Sequence, residues 1–360
     1  MGMHSEYIIN DARLGSLLRD MVDIYSPSWK EEELTDFLYS YLSRAGIHPV
    51  RQSVDETRAN LLILPEKGAA DVFFIGHIDT VPAFDYERFK SDQQDDRISG
   101  LGAADMKGGC AAMIEAFCTF AENDGPRFPA ALALVVGEEE GGDGILAFLK
   151  DFSPSWAIVG EPTNLVPCLG HFGYLELLLK TSGRRVHASL AGPEENAVRT
   201  MLELLLKLTQ HLNEARGDVV YNIRDVSSSQ AGFAVPDLCE ASVDLHVPPH
   251  FHIGELAVEL EEIAEGASSL STIHSGYLLP DKGMVPDILK DSFTRGNLPW
   301  NPGLFRSDSD ANLLWQEGVK PVILGPGELE KAHTQEECIS FSQVVAASRI
   351  YLDALFSMKS

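Results

Sequence analysis

The chain predicts an α/β protein: a mostly parallel sheet flanked by helices, interrupted by a smaller α+β insertion. Three observations carry this. Four short apolar runs bounded by Gly or Pro alternate with helical spacings, the pattern of buried parallel strands joined by helices. Each of these runs leads into imidazole or carboxylate side chains. Between the third and fourth runs lies a segment with a different alternation of strands and helices, so the sheet is left and later rejoined.

Taken in order, residues 11–23 and 31–45 space Leu, Met, Phe and Tyr at helical intervals, with Ser26-Pro27-Ser28 as a break and cap between them. Leu61 to Leu64 opens a strand series. Val72-Phe73-Phe74-Ile75-Gly76 then runs into His77-Ile78-Asp79. A helix over 107–121 begins just after Asp105 and places Met113, Ile114, Phe117 and Phe120 on one face. Ala131 to Val136 ends at Glu138-Glu139-Glu140, and Trp156 to Gly160 ends at Glu161. From about 173 the pattern changes. A strand at 174–179, a Leu-rich helix at 195–213, strands near 217–227 and 239–247, a helix at 253–266 and a strand near 272–279 spell β-α-β-β-α-β, the ferredoxin-like order. The expected division is a large domain of residues 1–172 and 283–360 with an inserted domain of residues 173–282. Val322-Ile323-Leu324 completes the large sheet and is followed by His333.

At 360 residues the chain exceeds the size at which one core keeps growing. It carries 54 acidic against 28 basic residues, a net charge of -26, which argues against nucleic acid and anionic membranes as partners. Five cysteines without a C-x-x-C pair fit free thiols in a reducing compartment. No apolar run reaches the length of a membrane span and no signal pattern opens the chain. The expectation is a soluble, cytoplasmic protein.

In open α/β sheets the ligand crevice lies beyond the carboxyl ends of the strands. The acids and imidazoles that follow the four runs therefore converge, and cations are what hold so many anionic groups together. His77 and Asp79 share one side of an extended chain, so one can bind metal while the other orients it. Taken alone, such a pair reads as a surface contact, and Asp105 taken alone reads as a helix N-cap. The Gly100-x-Gly102-x-x-Asp105 loop is not a dinucleotide fingerprint, because an acid stands where that motif has its last glycine. Three consecutive acids at 138–140 suppress each other's ionisation unless a cation compensates. No G-x-S-x-G elbow occurs, which disfavours a serine hydrolase.

Five ordered segments resemble those of the dizinc metallopeptidases and aminoacylases that include acetylornithine deacetylase, succinyl-diaminopimelate desuccinylase and acetyl-lysine deacetylase. They are Gly76-His77-Ile78-Asp79-Thr80-Val81-Pro82, Gly100 to Gly109, Glu138-Glu139-Glu140-Gly141, Gly160-Glu161-Pro162-Thr163 and Ala332-His333-Thr334. The resemblance covers essentially the whole chain. It implies the zinc-peptidase type of sheet, with the insertion serving as a lid and dimerisation domain.

The same resemblance implies a centre of two zinc ions, with cobalt or manganese as substitutes. Asp105 would bridge, His77 and Glu161 would hold one ion, and Glu140 and His333 the other. Glu139 would be the general base and Asp79 would orient His77. The acid-Glu-Glu pattern gives this register, and a slip of one residue is the alternative. His187 is implied to reach the active site of a second copy and stabilise the oxyanion, which makes the protein a homodimer. Arg306 and Asn312, in Arg306-Ser307-Asp308-Ser309-Asp310-Ala311-Asn312, are expected near the substrate. Asp244-Leu245-His246 stands where relatives often have Asp-x-Arg, which weakens any anion clamp there. The implied activity is hydrolysis of an N-acyl amino acid of acetylornithine or acetyl-lysine type by a metal-activated water. A di- or tripeptidase, an exo-carboxypeptidase or a succinyl-diaminopimelate desuccinylase is the alternative, and a zinc-binding relative with dead chemistry is the non-enzyme reading.

Overall fold

A computed structural model describes residues 7–66, 68, 70–83, 89–230 and 232–359. The chain divides into two compact units. The larger comprises residues 1–169, 279–305 and 309–360, and the smaller comprises residues 170–278 and 306–308.

The four apolar runs form the centre of the larger unit's sheet. In spatial order they are Ala131–Val135, Val72–His77, Trp156–Val159 and Lys320–Ile323, all parallel to their neighbours. Antiparallel strands Ala59–Ile63 and Val50–Ser53 extend the sheet beyond Ala131–Val135. The sheet is thus mixed, with its parallel part confined to the strands that lead to the acids and imidazoles. The register aligns their carboxyl ends: His77 lies opposite Val135, Ile75 opposite Val159, and Val159 opposite Ile323.

Consecutive residues of a strand face opposite sides, and both sides here are covered. Phe73 packs on Phe148 of the Asp143–Asp151 helix. Phe74 packs edge-on against Phe117 and Tyr351, from the Gly108–Asp124 and Phe341–Met358 helices. Strands buried on both faces need no polar alternation, so Val72–His77 and Ala131–Val135 are apolar almost throughout.

The smaller unit has strands Gly173–Ser182, Val220–Ser228, Leu238–Val247 and Ser268–His274 with helices Ala197–Ala215 and Ile253–Ala264. Every pairing is antiparallel. Leu175, Leu177 and Leu179 form its core with Met201, Leu204, Leu208, Leu256 and Leu260. The last of these strands starts and ends earlier than expected from 272–279. Tyr277–Leu278 is a separate strand that pairs with His171 and Gly170, and a Cβ at Gly276 just before it would sit 2.6 Å from the His171 carbonyl oxygen.

All five cysteines are unpaired; four are buried and Cys338 is partly exposed. No helix among the described residues is long and apolar enough to cross a membrane.

Phe74 is fully buried between two aromatic neighbours. Phe74→Ala is therefore expected to lower stability by about 3–5 kcal/mol, measured by guanidinium unfolding. A loss below 1 kcal/mol would contradict the packing described.

Candidate metal centre

His77, Asp79, Asp105, Glu138, Glu139, Glu161 and His333 all belong to the larger unit. His77, the last residue of its strand, is 2 % exposed, so its ring is fixed by what surrounds it. Its Nδ1 lies 3.1 Å from the Asp79 carbonyl oxygen and 3.5 Å from Asp79 Oδ1. Its Nε2 faces Asp105 Oδ1 at 3.2 Å, with Glu138 Oε2 and Glu161 Oε1 each at 3.8 Å. His333 reaches the other side of the same aspartate: its Nε2 is 3.5 Å from Asp105 Oδ2 and 3.1 Å from Glu139 Oε1. One carboxylate therefore presents an oxygen to each of two imidazoles.

Two sets of potential ligands share Asp105: His77 with Glu161, and Glu139 with His333. A third set, His77 with Glu138 and Glu139, overlaps both. Oxygen and nitrogen donors in groups of three suit a catalytic divalent cation, which keeps a position open. One buried atom argues for the fit directly. Glu161 is 3 % exposed, and its Oε1 has no hydrogen-bond partner. A buried unsatisfied carboxylate oxygen is costly unless a cation meets it.

The positions of the three consecutive acids correct the expected register. Glu138 and Glu139 are drawn inward because their backbone N–H groups donate to Asp79, at 3.2 and 3.1 Å. Gly137, with φ of 74°, turns the chain just after the strand, and a Cβ there would fall 1.9 Å from Asp143 Oδ1. By Glu140 the turn has carried the chain outward. Glu140 is exposed and joins no set of potential ligands among the described residues. The residue beside His333 and Asp105 is Glu139, one position earlier than expected.

Asn312, expected near the substrate, lies in the larger unit. It is fully buried, and its Oδ1 accepts the Ser309 N–H at 3.2 Å to close a capping box on the Asp310–Gln316 helix. Its side-chain oxygen is committed to that helix end. Arg306 and His187 lie in the smaller unit. Arg306 is exposed, with its guanidinium 5.7 Å over the Phe172 ring. His187 is also exposed, its Nδ1 2.8 Å from Ser189 Oγ. His246 is held uncharged, because burial lowers its pKa.

Sequence reasoning missed Ser28, whose hydroxyl donates to Asp79 Oδ2 at 2.8 Å from 51 residues away. The Ser-Pro-Ser pattern signals a chain break, which is correct, but no local spacing reveals so distant a partner. It also missed Lys107. Its fully buried Nζ donates to the carbonyls of Met21 and Ile24 at 3.0 Å, fastening the Asp105 loop to the end of the first helix.

The electrostatics follow from crowding. Burial, reinforced by Glu161 and Asp310, raises the Glu138 pKa well above the carboxylate range. Burial and repulsion from Asp105 do the same to Glu161. Burial also raises Glu139, with Asp105 adding to it against His333. On His77 burial acts downward, but Glu138, Asp105 and Asp79 outweigh it and the imidazole is raised. His333 is pushed up to about 9, Glu139 and Asp105 overcoming its burial.

Comparison with known proteins gives the family. The family model for peptidase family M20/M25/M40 matches residues 73–357. The chain belongs to that family. A protein of Aspergillus clavatus named a probable carboxypeptidase is 32% identical over 377 residues, 96% of this chain and 89% of that one. Acetylornithine deacetylase of Photorhabdus laumondii is 28% identical over 348 residues, 89% of this chain and 88% of that one. Among solved structures, a tripeptidase from Staphylococcus aureus superposes with a TM-score of 0.79 at 20% identity, covering 98% of this chain and 100% of the other; at that identity the likeness concerns the fold. As an M20 member this protein is a hydrolase of C–N bonds that works with a divalent metal ion.

His333, raised to about 9, holds a proton near pH 7 in the metal-free protein, and a cation bound there must displace it. Calorimetric titration with zinc near pH 7 is expected to release protons, read as a dependence of apparent enthalpy on buffer ionisation heat. Affinity should fall as pH is lowered. A buffer-independent enthalpy would contradict the arrangement.

Proposed function

We propose that this protein is a two-zinc amide hydrolase that frees an amino acid from an N-acylated form of it. The observation that carries this reading is the divided Asp105 carboxylate, one oxygen towards His77 at 3.2 Å and the other towards His333 at 3.5 Å. His77 and Glu161 would hold one ion, Glu139 and His333 the other, and Asp105 both. Bound there, divalent cations supply Lewis-acid polarisation and lower the pKa of water.

The remaining steps belong to the chain. Once two three-residue sets around Asp105 are filled, Glu138 is the inward carboxylate left over. It stands 3.8 Å from His77 Nε2 and is suited to take a proton from the attacking water and return it to the leaving amine. Burial of this carboxylate favours its protonated form, which assists the second half of that exchange. Asp79 keeps the His77 ring oriented, and is itself held by Ser28 and two backbone N–H groups. His187, carried by the smaller unit, is proposed to meet the oxyanion in the active site of a second copy, making the working protein a homodimer. Arg306, exposed on the same unit, is proposed to pair with the substrate carboxylate.

Two substrate types share this chemistry. An N-acetyl amino acid of the ornithine or lysine kind is supported by the acetylornithine deacetylase relative, and a peptide cleaved at its carboxyl end by the probable carboxypeptidase relative. Both are N-acyl amino acids that differ only in the acyl group. A panel of N-acetyl-ornithine, N-acetyl-lysine, N-succinyl-diaminopimelate and short peptides separates them by kcat/KM.

Single substitutions test the roles. Glu138→Ala should keep its metal and lose about 10²–10⁴-fold in turnover, whereas Glu139→Ala should lose metal and Glu140→Ala should behave as wild type. Metal loss on changing Glu140 but not Glu139 would return the register to the one read from sequence. His187→Ala should lower turnover at unchanged metal content, and unchanged kinetics would remove it from the site.

A further inference from the structure

Glu337 lies four residues after His333 and belongs to neither ligand set, yet it is 2 % exposed. Its two oxygens are spent on the backbone of the loop that carries Asp105. Oε2 accepts the Gly102 N–H at 3.0 Å, and Oε1 accepts those of Ala104 at 3.0 Å and Asp105 at 3.1 Å. The Glu337 backbone joins in: its carbonyl accepts the Gly100 N–H at 3.2 Å, and its own N–H donates to the Thr334 carbonyl at 3.0 Å. Converging N–H groups of this kind form an anion cradle. Gly102 makes it possible by turning through φ of 76°, where a Cβ would approach Thr80 Cγ2 to 2.5 Å.

The connection is specific in what it joins. On one side is the peptide of Asp105, whose carboxylate faces both imidazoles. On the other is the short turn that carries His333, itself at φ of 58°. A few tenths of an ångström of movement between the two would misplace one ligand relative to the other. Glu115, another fully buried glutamate, shows the contrast: it grips Arg13 and Thr119 and touches no ligand loop.

We propose that Glu337 is a positioning residue for the metal centre, an internal carboxyl group that locks the Asp105 loop to the His333 turn at the spacing two cations need. The proposal rests on the reading in which Asp105 is shared. Glutamine at 337 turns one acceptor oxygen into a donor facing backbone N–H groups. Aspartate keeps the carboxyl group but is one methylene too short to meet all three.

The test measures zinc binding by competition with a chromophoric chelator, on the full chain and without substrate. Glu337→Gln and Glu337→Asp are expected to weaken binding by about 10–100-fold, the range typical of residues that orient metal ligands. Amides 102–105 of the metal-free variants should exchange hydrogen faster than in wild type. Glu115→Gln is the structural control and should lower Tm with zinc affinity unchanged. Wild-type zinc affinity together with unchanged exchange at 102–105, in either folded Glu337 variant, would overturn the proposal. Asp105→Asn retaining two equivalents of zinc would instead sink the shared-aspartate reading beneath it.

Discussion

Asp105 stands between two imidazoles, and much of the larger unit keeps it there. Its position is set by backbone on three sides. The Lys107 ammonium ties the loop to Met21 and Ile24, Glu337 cradles its N–H groups, and the parallel strands bring His77 and Glu161 to meet it. The sheet register matters because each carboxyl end releases its chain at the same level. Shifting Val72–His77 by one residue would turn His77 away from the cleft, since side chains alternate across a strand.

Such a concentration of acids is unstable by itself. Glu138, Glu139 and Glu161 are raised by burial and by their neighbours, while His77 and His333 are held protonated by them. The two aspartates behave otherwise: His77, Ser28 and the Glu139 N–H overcome the burial of Asp79 and lower its pKa, and His77 and His333 do so for Asp105. The centre thus sets an aspartate whose pKa is lowered, and which orients a ring, beside carboxylates whose pKa values are raised. That contrast follows from burial, neighbouring charge and hydrogen bonding together.

The strands and their order along the chain were legible because burial on both faces leaves uninterrupted apolar runs, as in Ala131–Val135. His77, Asp105, Glu161 and His333 were legible because each follows such a run or opens a helix. The acids at 138–140 were not, because three identical residues offer no internal landmark. What selects Glu139 over Glu140 is a turn at Gly137 and two N–H bonds to Asp79, neither of which has a periodicity. The part Asn312 plays in the capping box with Ser309 was not legible either, because it rests on side-chain geometry at a short helix. Ser28 and Glu337 act on partners far away in sequence, through contacts that only the folded chain creates.

A pair of cations divided by one carboxylate is visible to anomalous diffraction from zinc-loaded crystals. Two zinc peaks are expected on opposite sides of Asp105, one beside His77 and Glu161 and the other beside His333 and Glu139. A single peak, or two peaks with no common ligand, would contradict it.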